Sequence, residues 1–117
     1  MKTKNVGRHL VIEFWDCKNL NSAELAEKAL QEAVRACGAT LLELKVHQFS
    51  PHGITGVAMI AESHILIHTW PELGYAAVDV FTCGEQVDPV AAIDPFQKHF
   101  SPKHVQMVEI RRGVLRD

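Results

Sequence analysis

The residues able to do chemistry are concentrated between positions 62 and 85. Glu62-Ser63-His64, His68-Thr69-Trp70-Pro71-Glu72 and Phe81-Thr82-Cys83-Gly84-Glu85 bring a hydroxyl, imidazoles, carboxylates and a thiol into one short stretch. Seven histidines is a high count for 117 residues, and His52, His64 and His68 lie close together in the chain. Taken singly, each group has a plainer explanation: Ser63 opens a strand, His68 is a core histidine with its hydrogen bonds satisfied, and Cys83 is a small buried hydrophobe. Taken together they admit several chemistries. A Ser/His/Asp hydrolase needs a sharp strand-to-helix turn at its nucleophile, and no G-x-S-x-G elbow surrounds Ser63. Cys83 with His68 would make a nucleophile pair. His64, His68 and Cys83 would make a zinc site, although histidines at i and i+4 converge on a helix and not on a strand.

Periodicity supplies the elements that must position these groups. Residues 9–15 form a β-prone run closed by Asp16. Asn21 or Ser22 caps a helix over 23–37, where Leu25, Ala26, Ala29, Leu30, Ala33, Val34 and Cys37 recur at helical spacing before Gly38 stops it. Strands follow over 41–49, 56–61, 63–70 and 75–82, punctuated by Ser50-Pro51-His52-Gly53 and Pro71-Glu72-Leu73-Gly74. A second helix over about 90–100 and a last strand over 105–112 complete the chain. The order β-α-β-β-β-β-α-β with short connections predicts an α+β two-layer sandwich: a mainly antiparallel sheet with two helices packed on one face. Both faces of that sheet are apolar. Val57, Met59, Ile65, Ile67, Val78 and Val80 compete with Ala58, Ile60, Leu66, Ala77 and Phe81 for the helix side. A doubly apolar sheet needs a cover, which a second copy of the chain would supply.

At 47% hydrophobic and 22% charged residues, the chain has the composition of one soluble domain, 1–117. Twelve Lys and Arg against fourteen Asp and Glu give a net charge of −2, with no positive excess to hold phosphates, so nucleic acid is not expected as a partner. No run approaches the roughly 20 apolar residues of a membrane span, so no membrane partner is expected either. Lys2, Lys4 and Arg8 are not followed by the apolar segment of a secretory signal, which predicts a cytoplasmic protein. Cys17, Cys37 and Cys83 are odd in number and contain no C-x-x-C pair, so a disulfide framework, a cysteine zinc site and a resident metal are not expected.

Gly7-Arg8-His9-Leu10, Glu62-Ser63-His64, His68-Thr69-Trp70-Pro71-Glu72, Gly74-Tyr75-Ala76-Ala77 and Phe81-Thr82-Cys83-Gly84, in this order and spacing, closely resemble the prokaryotic S-adenosylmethionine decarboxylase proenzymes, a pyruvoyl-dependent family. The resemblance runs from Gly7 to about Gly113, and departs in the loop 50–56, where His52 and Thr55 stand in place of Tyr and Ser. It implies a chain that cuts itself between Glu62 and Ser63 into a β chain, 1–62, and an α chain, 63–117. The Ser63 hydroxyl attacks the Glu62 carbonyl to make an ester. His68, the proton acceptor in processing, removes the Ser63 α-proton, and elimination and hydrolysis leave a pyruvoyl group, the covalent cofactor, where Ser63 stood. The resemblance further implies a Schiff base between that group and the amine of S-adenosylmethionine, which accepts the electrons released with CO₂. It implies as well that Cys83 is the proton donor in catalysis, a role a thiol can fill. The product would be decarboxylated S-adenosylmethionine, the aminopropyl donor for spermidine. Phe49 and Trp70 offer flat faces to the adenine and sulfonium, Glu72 a carboxylate to the ribose diol, and Thr55 a further substrate-side contact.

Ser63 and His68 are five residues apart, which on a straight strand is about 16 Å and leaves them on opposite faces. Either the segment bends at Ser63 or the base comes from another copy. With the doubly apolar sheet, this predicts a symmetric homodimer of processed αβ units with its active sites at or across the interface. Two rival readings differ in substrate or class: a pyruvoyl-dependent arginine or ornithine decarboxylase of the same fold, which would need acidic groups at the far end of its pocket, and an unprocessed, non-catalytic homologue.

Overall fold

The structure, a computed structural model, describes residues 4–115, so Lys2 and its two neighbours lie outside the described residues. Eight elements follow in chain order: β1 (Asn5–Trp15), α1 (Ala23–Cys37), β2 (Thr40–Gln48), β3 (Ile54–Ala61), β4 (Ser63–Trp70), β5 (Tyr75–Cys83), α2 (Ile93–Phe100) and β6 (His104–Val114). The six strands make one sheet in the order β2-β3-β4-β5-β1-β6, every neighbouring pair antiparallel. The expected two-layer α+β sandwich is therefore the fold.

Local chemistry sets the helix limits. Ser22 is the residue that caps α1, its hydroxyl accepting the Leu25 N–H at 3.1 Å. Gly38, at φ 81°, takes the left-handed turn that ends the helix, and Ala39 N–H donates back to the Val34 carbonyl. The second helix starts later than its periodicity suggests. Pro89–Ala92 is a tight 3-10 turn, capped by Asp88 through Val90 N–H, and α-helix proper begins at Ile93. Glu32 joins the two helices by accepting from Lys98 at 3.0 Å and from the His99 ring at 3.1 Å.

Strand pairing also lengthens two elements beyond their apolar runs. β1 starts at Asn5 because Gly7 is paired on both sides, with Cys83 and with Arg112. A Cβ at Gly7 would lie 2.6 Å from the Phe81 ring and 2.7 Å from the Thr82 carbonyl, so only glycine lets β1 approach β5 here. β3 starts at Ile54, whose N–H donates to the Thr69 hydroxyl at 2.9 Å.

Register resolves the competition between the two faces. Ala58 pairs with Ile65 and Ile65 with Val80, so these residues point the same way. Ala58, Ile60, Ile65, Ile67, Val78 and Val80 all face the helices and are fully or almost fully buried, with Leu10, Ile12 and Phe14 beside them. Phe96 and Phe100 fill the layer from α2. Burial of each such phenylalanine contributes roughly 1.5–3 kcal/mol. Val57, Met59, Leu66, Ala77 and Phe81 face away, so Met59, Val57 on the one hand and Ile65, Ile67, Val78, Val80 on the other separate to opposite sides. This second face stays partly open, and Met59 is 51% exposed. At the sheet edge, all of β6 is exposed on both sides, with Val108 and Ile110 continuing the open face.

Candidate active site

The β3–β4 hairpin is as short as a hairpin can be. Ile60 pairs with Ser63, leaving Ala61 and Glu62 as an exposed two-residue tip. Ser63 is the first residue of β4 and has φ 110°, a region that side-chain-bearing residues rarely adopt. Holding a serine there costs on the order of 1–3 kcal/mol, so the backbone next to the Glu62–Ser63 bond is strained where self-cleavage would occur.

Around Ser63 the open face carries a histidine pair. The Ser63 hydroxyl lies 3.4 Å from His64 Nδ1. His64 packs edge-on against Phe81, with ring centroids 5.8 Å apart, and at 6.3 Å from His9. Burial, aided by the neighbouring His9, lowers the His64 pKa below its usual 6.5. His9 stacks on Phe81 at 5.2 Å and its Nδ1 accepts from Arg112 at 3.3 Å, while its buried Nε2 has no partner among the described residues. Cys83 closes β5 on the same side. With Ala61, Glu62, Gly84 and Glu85 it lines a cavity of about 540 Å³.

A second cluster sits at the far end of β4. His68 Nδ1 lies 3.0 Å from the hydroxyl of its cross-strand neighbour Thr55. These two line a cavity of about 350 Å³ with Phe49, His52, Trp70 and Glu72. His52 Nε2 approaches Glu72 Oε1 at 3.2 Å and so holds the carboxylate at the cavity. Trp70 stacks on Tyr75 at 5.2 Å, and Tyr75 on Trp15 at 4.5 Å.

The structure thus gathers five sequence-selected residues, Phe49, Thr55, His68, Trp70 and Glu72, around one cavity, and sets Glu62 and Cys83 around another, with Ser63 beside them on β4, paired with Thr82. Ser63 and His68 do not meet within the chain: they occupy opposite ends of β4, about 16 Å apart. A zinc site from His64 and His68 fails for the same reason, since four strand residues put them about 13 Å apart. Among the described residues no group of three His, Cys, Asp or Glu is arranged to hold a metal.

Sequence reasoning missed the His52–Glu72 contact, the His9–His64–Phe81 packing and the Trp15–Tyr75–Trp70 stack. The last had a signal, because a turn at Pro71-Glu72-Leu73-Gly74 brings Trp70 opposite Tyr75. The Tyr75 hydroxyl donates to Glu13 Oε2 at 2.5 Å, and burial first, then this carboxylate, push its pKa up to about 12. Tyr75 is the chain's single tyrosine, so its titration can be read directly. The phenolate ultraviolet band of the native protein is expected to develop near pH 12, and that of the denatured chain near pH 10. Because the folded state favours the protonated phenol, this contribution to stability is present below about pH 10 and is lost as pH rises towards 12. Tyr75→Phe should remove that part of the alkaline decline in Tm.

A family model described as S-adenosylmethionine decarboxylase matches residues 8–113. The S-adenosylmethionine decarboxylase proenzyme of Methanococcus maripaludis is 53% identical over 114 residues, which span 96% of this chain and 93% of that one. The proenzyme of the same name from Thermomicrobium roseum is 47% identical over 115 residues, 97% of this chain and 99% of its own. Among solved structures, the adenosylmethionine decarboxylase of Aquifex aeolicus superposes with a TM-score of 0.89 at 34% identity, covering 97% of this chain and 96% of that one. Agreement in sequence over nearly the whole length, joined to agreement in fold, leads to one conclusion: this chain belongs to the S-adenosylmethionine decarboxylase family.

Proposed function

We propose that the chain is a cytoplasmic, self-processing decarboxylase of S-adenosylmethionine, working through a pyruvoyl group made from Ser63 and acting as a homodimer of processed αβ units. The observation that carries this reading is the pairing of a strained serine at a hairpin tip with a thiol on the neighbouring strand, in a chain whose relatives bear this activity in their names. The residues fit the group. Position 63 follows an exposed peptide bond, and Cys83 borders the cavity that Glu62 also lines. A pyruvoyl group there supplies a ketone for the substrate amine and an acceptor for the electron pair left by CO₂.

The chain's own residues do the rest. Ser63 supplies the hydroxyl that attacks the Glu62 carbonyl. His68 takes the Ser63 α-proton during processing, its ring oriented by the Thr55 hydroxyl. Cys83 returns a proton to the substrate Cα once CO₂ has gone. Phe49 and Trp70 provide aromatic faces for the adenosyl part of the substrate, and Glu72, steadied by His52, accepts from the ribose diol. The free state of Cys17, Cys37 and Cys83 suits a reducing compartment, and no helix among the described residues is long and apolar enough to cross a membrane.

The separation of the two clusters supports the homodimer. One copy holds Ser63 at the start of β4 with Cys83 close by at the end of β5, and His68 with the substrate-side residues towards the other end of β4. Two copies packed antiparallel through their open faces would bring opposite ends together, burying Val11, Val57, Met59, Leu66 and Ala77 as they do so. Co-expression of Ser63→Ala with His68→Ala tests this arrangement. The His68→Ala chain keeps its serine and should be cut after Glu62 only when its partner supplies His68. Cleavage in the mixture but in neither variant alone is the expected outcome; no cleavage in the mixture would mean that both groups must come from one chain.

A further inference from the structure

The Ser63 hydroxyl has an imidazole beside it that the roles above leave unused. His64 Nδ1 is 3.4 Å from Ser63 Oγ, whereas His68 of the same chain is about 16 Å away. The contact is longer than a mature O–H···N hydrogen bond, but such contacts tighten as charge develops. The His64 ring is also held in place. It stands nearly perpendicular to Phe81, at 89°, and to His9, at 82°, and Arg112 braces both of those rings, donating to His9 and lying 5.3 Å over Phe81.

We propose that His64 is the base for the first step of self-cleavage, the shift of the Glu62 acyl group from the Ser63 nitrogen to its hydroxyl oxygen. His64 Nδ1 takes the Oγ proton as Oγ bonds to the Glu62 carbonyl carbon. The C–N bond then breaks and the same proton passes to the Ser63 nitrogen, leaving an ester, a free amine and a neutral imidazole. Nothing else is consumed. His68 keeps its separate task, removal of the Ser63 α-proton from that ester.

The surroundings favour the state this step needs. Burial first, and then His9 from β1, disfavour the charged imidazole, Asp79 from β5 opposes them, Arg112 from β6 stands behind His9, and Met59 from β3 and Phe81 from β5 bring no charge. Glu62 and Cys83 are the other titratable neighbours. Burial outweighs the Asp79 contribution, so His64 is neutral near pH 7 and can accept a proton.

The inference rests on the self-cleavage reading, and the test separates the two. Chains made by cell-free translation are chased and treated with hydroxylamine, which opens an ester after Glu62 but leaves the amide intact. His68→Ala should stop at the ester and be opened. Adding His64→Ala or His64→Gln to that chain should slow ester formation about 100-fold or more, with free imidazole restoring part of the rate in the His64→Ala chain. A double variant opened as fast as His68→Ala alone would overturn the proposal. So would a His68→Ala chain that gives no ester while the wild type splits. If substitution at His64 unfolds the chain, the pH profile of the His68→Ala chain decides. Its ester-forming rate should be flat above about pH 7 and fall about tenfold per unit below the His64 pKa. A rate still climbing tenfold per unit from about pH 7 to 8.5 would assign the step to another base. A wild-type chain that never breaks after Glu62 is a different failure, that of the self-cleavage reading itself.

Discussion

Ser63→Ala is expected to leave one intact 13.1 kDa chain and to abolish decarboxylation. Removal of a single oxygen atom would have this effect because the hydroxyl is proposed to serve twice: as the nucleophile that breaks the Glu62–Ser63 bond and, through its β-elimination, as the source of the ketone. No neighbour can stand in for it. The thiol of Cys83 is on the next strand and would attack the Glu62 carbonyl through a much larger ring than the five-membered one available to Ser63. The hairpin itself should survive, since a side chain one atom smaller leaves the Ile60–Ser63 and Ser63–Thr82 pairing intact. A Tm near that of the unprocessed chain, with no CO₂ released from carboxyl-labelled S-adenosylmethionine, is the combined result expected. Wild-type protein should release CO₂ from that substrate and not from arginine or ornithine, because Phe49, Trp70 and a single carboxylate, Glu72, suit an adenosyl group better than a guanidinium or a second amine. A Ser63→Ala protein that kept its activity would remove the pyruvoyl group from the account.

Cys83→Ala is expected to have the second largest effect and the opposite distribution. Cleavage should proceed nearly as in the wild type, while turnover falls about 10²–10⁴-fold, the usual contribution of a positioned proton donor. The reason lies in what the thiol touches. Cys83 borders the cavity shared with Glu62 and packs across from Gly7, where an added Cβ would meet its sulfur at 3.1 Å. It is thus fixed next to Thr82, the partner of Ser63, by β1 and β5, without carrying the peptide bond proposed to break. Intact mass after purification reads the first half of the prediction, and single-turnover decarboxylation the second. A variant that stayed uncut would show that the thiol acts in processing, and the division of labour between His68 and Cys83 would have to be redrawn.

Much of the fold could be read from the chain because its signals are local. The stripe from Ala26 to Cys37, the cap at Ser22 and the stop at Gly38 each need only a few neighbouring residues, and α1 keeps the limits they set. The limits of the strands were less legible. β1 extends back to Asn5 only because β5 and β6 lie on either side of it, pairings between residues some 75 and 105 positions apart. The choice of sheet face was likewise non-local: Ile65 and Leu66 are equally apolar, and only the register with Val80 and Ala58 sends Ile65 to the helices.

The candidate site divides along the same line. His68 and Trp70 share a face by strand alternation, and Thr55 joins them across a short hairpin, so their meeting was within reach of the sequence. The packing of His9 against His64 and Phe81 was not, because it depends on β1 lying beside β5. Nor could sequence alone decide how Ser63 and His68 come together. Spacing said that they could not meet on a straight strand, and β4 keeps unbroken register with β3 from Ser63 to Thr69.

The most direct measurement is the denatured intact mass of freshly purified wild-type protein. Self-cleavage predicts two chains, one ending at Glu62 with a free carboxylate and one beginning at position 63, lighter than its serine form by the mass of one ammonia. A single 13.1 kDa chain that stays whole on incubation, or a break at any other bond, would contradict it.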